Sequence, residues 1–182
     1  MTALPPDPTG RLLLTPDDPD APARAARLRE LGIGAESRPE FDTVARDLAR
    51  LTGTPLAMVN LVGERRQFFA GLYAAPGTGK CRTMARDHGF CPHVVARRRA
   101  LALDDVTHYP RFAGNPLVDE AGIRAYLGAP LLDGEGMALG TLCVMDHLPR
   151  SWGRAGVGAI KAAADEVAGR LLARPRGTGE VR

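Results

Sequence analysis

The spacing of apolar positions along the chain changes period several times, and each change marks an element. Over 38–52, Phe41, Val44, Ala45, Leu48 and Leu51 recur every three or four residues, which puts them on one face of a helix. Ser37, Arg38, Pro39 and Glu40 have the form of a capping box, with proline tolerated in the first turn, and Gly53 stops the helix. A shorter helix is predicted over 22–31, with Ala25, Leu28 and Leu31 on one side, Asp20 as its cap and Gly32 and Gly34 as its end. Near the C-terminus, Val157, Ile160, Ala164, Val167 and Leu171 form a 3-4-3-4 seam in a helix over 152–172 that Ser151 can cap. So narrow a seam fits either packing on the protein's own sheet or a helix bundle shared by two subunits.

Between the helices the period shortens. Strands are predicted over 55–62 and 67–73, joined by a turn at 63–66, and over 100–104. The strongest signal is a hairpin, with strands over 125–132 and 137–145 joined by Asp133, Gly134, Glu135 and Gly136. Asp-Gly between two apolar runs favours a tight turn, because glycine takes positive φ without steric cost. Gly128 and Gly140 fall inside these strands, where glycine marks a bulge or a close approach by another group. Residues 74–80 read as a loop and 94–99 as a short helix. The stretch 105–120 is long for a connection and is a candidate lid. Hairpins rather than βαβ crossovers point to an α+β fold with an antiparallel sheet. Pro5, Pro6, Pro8, Pro16 and Pro19 make 1–21 a flexible arm; 22–173 is the domain and 174–182 a flexible tail.

Composition narrows the function classes. At 182 residues the chain is one domain with tails, and 45% apolar with 25% charged residues is ordinary for a soluble protein. No run approaches the roughly 18 apolar residues of a membrane span, and no secretion signal is evident, so a cytoplasmic location is expected. A net charge of +3, with a pI near 9.0, is too weak and scattered to argue for nucleic-acid binding. Three cysteines, an odd number, argue against a disulfide framework.

The order of these elements, together with Phe90-Cys91-Pro92-His93, Asp104-Asp105, the run Pro110 to Pro116, Tyr126 to Pro130, Gly140-Thr141-Leu142-Cys143-Val144 and Asp146, resembles a GAF domain over about 24–173. The motifs look like those of bacterial signalling proteins and stand-alone actinobacterial members. The resemblance implies a PAS-related sheet of six antiparallel strands, terminal helices on one face that often dimerise, and a small-molecule pocket under loops on the other. It implies a sensory or regulatory, non-enzymatic role. No kinase, cyclase or DNA-binding segment fits in 182 residues, so the output is expected to come from a signalling partner or from homodimer assembly.

Chemistry could reside in Cys81, His88, Cys91 and His93, which fall within thirteen positions. One reading is packing, since free cysteine is commonly buried. A second is a reactive thiol: with Pro92 as first helical residue, Cys91 would be the N-cap, its thiolate favoured by the helix dipole and by Arg86 or His93. The third is zinc, although this spacing is not a usual structural zinc pattern. GAF enzymes that reduce free methionine sulfoxide carry two cysteines spaced as Cys81 and Cys91 are. They place a further catalytic cysteine in the loop equivalent to 106–120, which has none here, and acidic residues where this chain has Cys143 and Met145. Bilin attachment needs a Cys-His dipeptide, whereas Pro92 follows Cys91; the cyclic-nucleotide signature is not evident; haem would need His88, His93 or His108.

The sequence therefore leaves the cofactor unknown and names a generic ligand site. Phe69, Phe90, Tyr109, Phe112 and Tyr126 would stack on a small molecule, and Cys91, His93, Asp105, Arg111 and Arg124 would orient it. For each aromatic taken alone, core packing competes with ligand contact.

Overall fold

The computed structural model describes residues 15–79 and 81–173. Most of the predicted arm (1–14) and all of the predicted tail (174–182) lie outside the described residues.

Six antiparallel strands form one sheet in the order β3-β2-β1-β6-β5-β4. They are β1 Leu56–Val62, β2 Arg66–Ala74, β3 Thr83–Ala85, β4 Leu101–Leu103, β5 Ala125–Leu132 and β6 Ala138–Asp146. Each is joined to a neighbour by a hairpin or a longer loop, as the α+β reading requires. The predicted hairpin supplies β5 and β6. Strand β3 is absent from the sequence prediction: its three residues are only half-buried, and it exists because it pairs with Arg66–Phe68 at the start of β2.

Period-2 alternation divides the side chains between two cores. On one face Ala57, Val59, Leu61, Leu127, Ala129, Leu142 and Val144 meet α1 Ala21–Glu30, α2 Pro39–Thr52 and α5 Gly153–Leu172. Phe41, Ala45 and Leu48 of α2 point inward as the 3.6-residue spacing predicts, whereas Leu51 stands 80% exposed. The α5 seam packs on its own sheet, with Ile160, Ala164, Val167 and Leu171 all buried. On the other face lie α3 Cys91–Arg97, two 3-10 turns at Val106–His108 and Pro110–Phe112, and the short α4 Pro116–Asp119.

Glycines mark the close approaches. A Cβ at Gly71 would sit 2.3 Å from the Phe41 carbonyl oxygen, and one at Gly140 would sit 1.9 Å from that of Asn60. Near Gly71 the β1–β2 register slips between Val59 and Asn60. Ala70 is left without a partner in the pairing, and its carbonyl accepts the Arg38 N–H at the entry to α2.

Gly53 ends α2 as predicted, whereas the N-caps differ from the sequence prediction. Asp20 makes no side-chain cap; its carboxylate accepts from Arg98 instead. Arg38, not Ser37, is the N-cap of α2, with Pro39 opening the helix. Trp152 rather than Ser151 caps α5, and the Asp104 carboxylate accepts its backbone N–H. The end of the predicted flexible arm is anchored. Arg24, fully buried, donates to the Ala138 carbonyl at 2.6 Å and holds Asp18 through two hydrogen bonds, while Arg86 pairs with the same carboxylate.

Candidate functional site

Helix α3 lies over the centre of the sheet because its buried side, Cys91, Pro92, Val94 and Val95, meets β6, β5 and β1. Its N-cap is Phe90, not Cys91, which is the first helical residue. The Cys91 thiol therefore points into the protein. Strand pairing determines what it meets. Gly128 of β5 lies opposite Cys143 of β6, and the Tyr126 ring folds over Gly128 so closely that a Cβ there would be 2.2 Å from the phenol oxygen. The hydroxyl thereby reaches Cys91 Sγ at 3.4 Å, Thr141 donates to the same sulfur at 3.1 Å, and Cys143 Sγ stands 3.7 Å away.

Electrostatics separate the two sulfurs. The Cys143 thiol, above all, brings Cys91 down to about 6, aided by Thr141, Tyr126 and Asn60 and opposed by burial. Cys143 moves well up, because of Cys91 and its own burial, and burial also raises Tyr126. Beneath Cys91, Asn60 Nδ2 donates to Gln67 Oε1 at 2.7 Å, and Gln67 Nε2 donates to the carbonyls of Ala85, Arg86 and His88. Those three carbonyls fix the Gln67 amide and hence that of Asn60, whose Oδ1 is buried without a partner among the described residues.

The aromatic residues proposed as ligand platforms stack on one another. Phe90 lies 5.1 Å from Phe112 edge-on and 5.0 Å from Tyr126, and His93 meets Phe112 edge-on at 5.1 Å. Phe90, Phe112 and Tyr126 are each no more than 1% exposed. Arg111 lies over Phe112 at 4.7 Å, with Tyr109 at the surface. Asp105 is paired with Arg124 and accepts from Thr107, and these two partners hold its carboxyl well below the usual range. The candidate lid, 105–120, is built into this side: the Asn115 amide accepts from the Gly89 N–H and donates to its carbonyl, both at 3.0 Å.

Cys81 sits apart. It is exposed, and its thiol donates to the Thr83 carbonyl at 3.2 Å. The partners of Cys91 are Cys143, Thr141 and Tyr126, so the structure pairs Cys91 with a thiol 52 positions away rather than with Cys81. Among the described residues no three His, Cys, Asp or Glu side chains converge as metal ligands would. The four residues of the zinc reading are dispersed.

The open space lies elsewhere. A cavity of about 490 Å³ opens between β1, β2, β3 and the far end of β6. Leu56, Met58, Phe69, Leu72, Met84 and Met145 line it, with Leu117 and Ile123 at one side and the loop at Gly77 to Gly79 at the mouth. Its polar side chains among the described residues are Thr78, Cys81, Thr83 and His147. Of the ten residues proposed from sequence, Phe69 alone lines it. The Leu and Met residues carry no sequence signal beyond apolarity. Their common feature is the period-2 face they share with Met58, which the alternation along β1 could have revealed.

These features agree with known proteins. The GAF domain family model matches residues 38–171. A cyclic di-GMP phosphodiesterase of Pseudomonas aeruginosa is 36% identical over 141 residues, which make up 76% of this chain; the chain spans 23% of that enzyme's length. Two solved structures share the fold. The GAF domain of an Acinetobacter phosphoenolpyruvate-protein phosphotransferase matches with a TM-score of 0.60 at 14% identity, over 85% of this chain and 94% of that one. Free methionine-R-sulfoxide reductase from Neisseria meningitidis, in complex with its substrate, matches with a TM-score of 0.60 at 13% identity, over 89% and 95%.

Proposed function

The chain belongs to the GAF domain family, whose members are generally sensory or regulatory domains, and on that premise we propose that it binds a small, largely apolar molecule without transforming it. The observation that carries this reading is the cavity of about 490 Å³ on the sheet face opposite the terminal helices. That volume suits a compact organic ligand. Its lining is apolar with four scattered polar side chains, and no carboxylate stands among the described lining residues, which favours binding over acid–base catalysis.

The output is a homodimer or a signalling partner acting in the cytoplasm. Leu51 stands exposed at a groove between α2 and α5 that Leu48, Trp152, Ala155, Ala159 and Ala163 also line, with the β5 residue Leu127 among its walls. This surface, rather than the buried seam, is the one we assign to a second copy of the chain. Likeness to part of a cyclic di-GMP phosphodiesterase supports work alongside a signalling enzyme. Among the described residues no helix is long and apolar enough to cross a membrane.

Native mass spectrometry tests the reading. Protein purified without additives is expected to carry a non-covalent mass on the order of a few hundred daltons that vanishes on denaturation. The variant Leu72→Trp, which fills the cavity, is expected to lose that mass while keeping a cooperative melt. A bare chain, unmoved in melting temperature by any member of a panel of small apolar molecules, overturns it.

A further inference from the structure

We propose that Cys91 and Cys143 form a reversible peroxide-sensitive dithiol, closing to a disulfide that ties α3 to the central strand β6. The inference is independent of whether the cavity beside β1 and β2 holds a ligand.

The geometry carries it. The two sulfurs, both reduced, lie 3.7 Å apart. A disulfide needs about 2.05 Å, so closure asks for a movement of about 1.6 Å between a short helix and the strand beneath it. The residues joined belong to elements already packed on each other. The surroundings differ from those of an inert buried cysteine, because the Thr141 hydroxyl donates to Cys91 Sγ and the Tyr126 phenol is a second hydroxyl beside it. Hydroxyls directed at a sulfur stabilise it as a thiolate, which is the nucleophilic form. Packing alone would be served as well by an apolar side chain and would leave no polar groups to satisfy.

Hydrogen bonding assigns the roles. The Thr141 hydroxyl donates to Cys91 Sγ, so Cys91 is the sulfur that attacks a small peroxide and Cys143 the one that resolves. In the first step Cys91 thiolate attacks one oxygen of a hydroperoxide. The S–O bond forms, the O–O bond breaks, and the leaving oxygen departs as water or alcohol with a proton. The sulfur is oxidised by two electrons to a sulfenic acid and the peroxide is reduced. In the second step the Cys143 sulfur attacks that of Cys91. The S–S bond forms, the S–O bond breaks, and the hydroxyl leaves as water with the Cys143 proton. A free thiol reductant reverses the bond by exchange.

The distinctive partner is Cys143. Cys81 is exposed and bonded to Thr83, and it takes no part in the reaction.

Hydrogen peroxide titration of the full chain tests the proposal. Thiols counted in denaturant are expected to fall from three to one, with a loss of about 2 Da per chain that dithiothreitol restores. Peptide mapping of the wild-type protein is expected to find Cys91 joined to Cys143. Cys81→Ser is expected to keep the bond. Cys143→Ser is expected to lose it and to accumulate sulfenic acid at Cys91, trapped by dimedone. Three thiols surviving a peroxide excess, or a crosslink that includes Cys81, overturns the proposal. Because the mapping uses wild-type protein, a variant that fails to fold does not spare it.

Discussion

The sheet face away from the terminal helices is finished in two different ways. Over β6, β5 and β4 the space is filled by α3 and by Phe90, Phe112, Tyr126, Leu103 and Val94, all at most 1% exposed. Over β3, β2 and β1 the cover is a glycine-containing loop with Leu117 and Ile123 at one side, and about 490 Å³ stays open beneath it. Both halves rest on the same pleated floor, with side chains from alternate residues. The difference lies above it. Large aromatics on turns long enough to fold inward close one half, whereas small residues and a short strand leave the other half without atoms to fill it. Polar chemistry follows the same division: the buried dithiol lies in the filled half and the exposed Cys81 at the mouth of the hollow one.

The comparison breaks most severely at its aromatic centre. Phe90→Ala is expected to cost about 3–5 kcal/mol in chemical denaturation, since the ring contacts both Phe112 and Tyr126. A loss below about 1 kcal/mol would mean that this half is not packed as described. Next is the shared floor. Gly140→Ala is expected to cost about 2 kcal/mol, because the new methyl group meets the Asn60 backbone, which no rotamer change can relieve.

A third test concerns the edge of the hollow half. Asp42 of α2 accepts from Arg82, just before β3, and from the Leu72 N–H. Burial pushes its carboxyl up, but Arg82 and Leu72 together bring it below the usual 3.8. A depressed carboxylate contributes stability that is fully present above the ordinary value and lost as pH falls through the folded one. Asp42→Asn is therefore expected to destabilise by about 1 kcal/mol at pH 7, allowing for partial exposure. That difference from wild type should shrink as pH drops below 3.8 in parallel urea titrations, and a constant difference would refute the assignment. The smallest effect is expected from Leu117→Ala on the cavity wall, about 1 kcal/mol or less, with a larger change in ligand retention than in stability.

How much of this was legible in the sequence depends on whether a feature is set locally or by a partner. Helix α2 and the β5–β6 hairpin were legible because periodicity and turn chemistry are local, and Gly128 and Gly140 were legible as close approaches. Strand β3 was not, because Thr83–Ala85 has no alternation and takes its form from β2. Gly53 was legible as the end of α2, but the side-chain N-caps were not, for a related reason: Asp20 is drawn to Arg98 and Asp104 serves α5 from 48 positions away. In the candidate site, apolar and aromatic residues on the correct face were identifiable, but not which would stack on each other. Cys143 was recognised only as a departure from a family pattern. Its face could have been read from alternation with Thr141 and Met145, but its neighbour Cys91 depends on where α3 settles.

The buried Arg24 has a mechanical consequence. It is bonded at once to Asp18 in the chain before α1 and to the Ala138 carbonyl at the start of β6. A pull or twist arriving along that chain cannot be absorbed by sliding α1, since sliding would strip a buried charge of its partner at a cost of about 3–5 kcal/mol. The load passes instead to β6, which is paired on both sides with β1 and β5, and through Arg86 to the end of the edge strand β3. The first helix is therefore a lever bolted to a central strand of the sheet. Torque applied at the front of the domain reaches, through Arg24, the strand that carries Thr141 and Cys143.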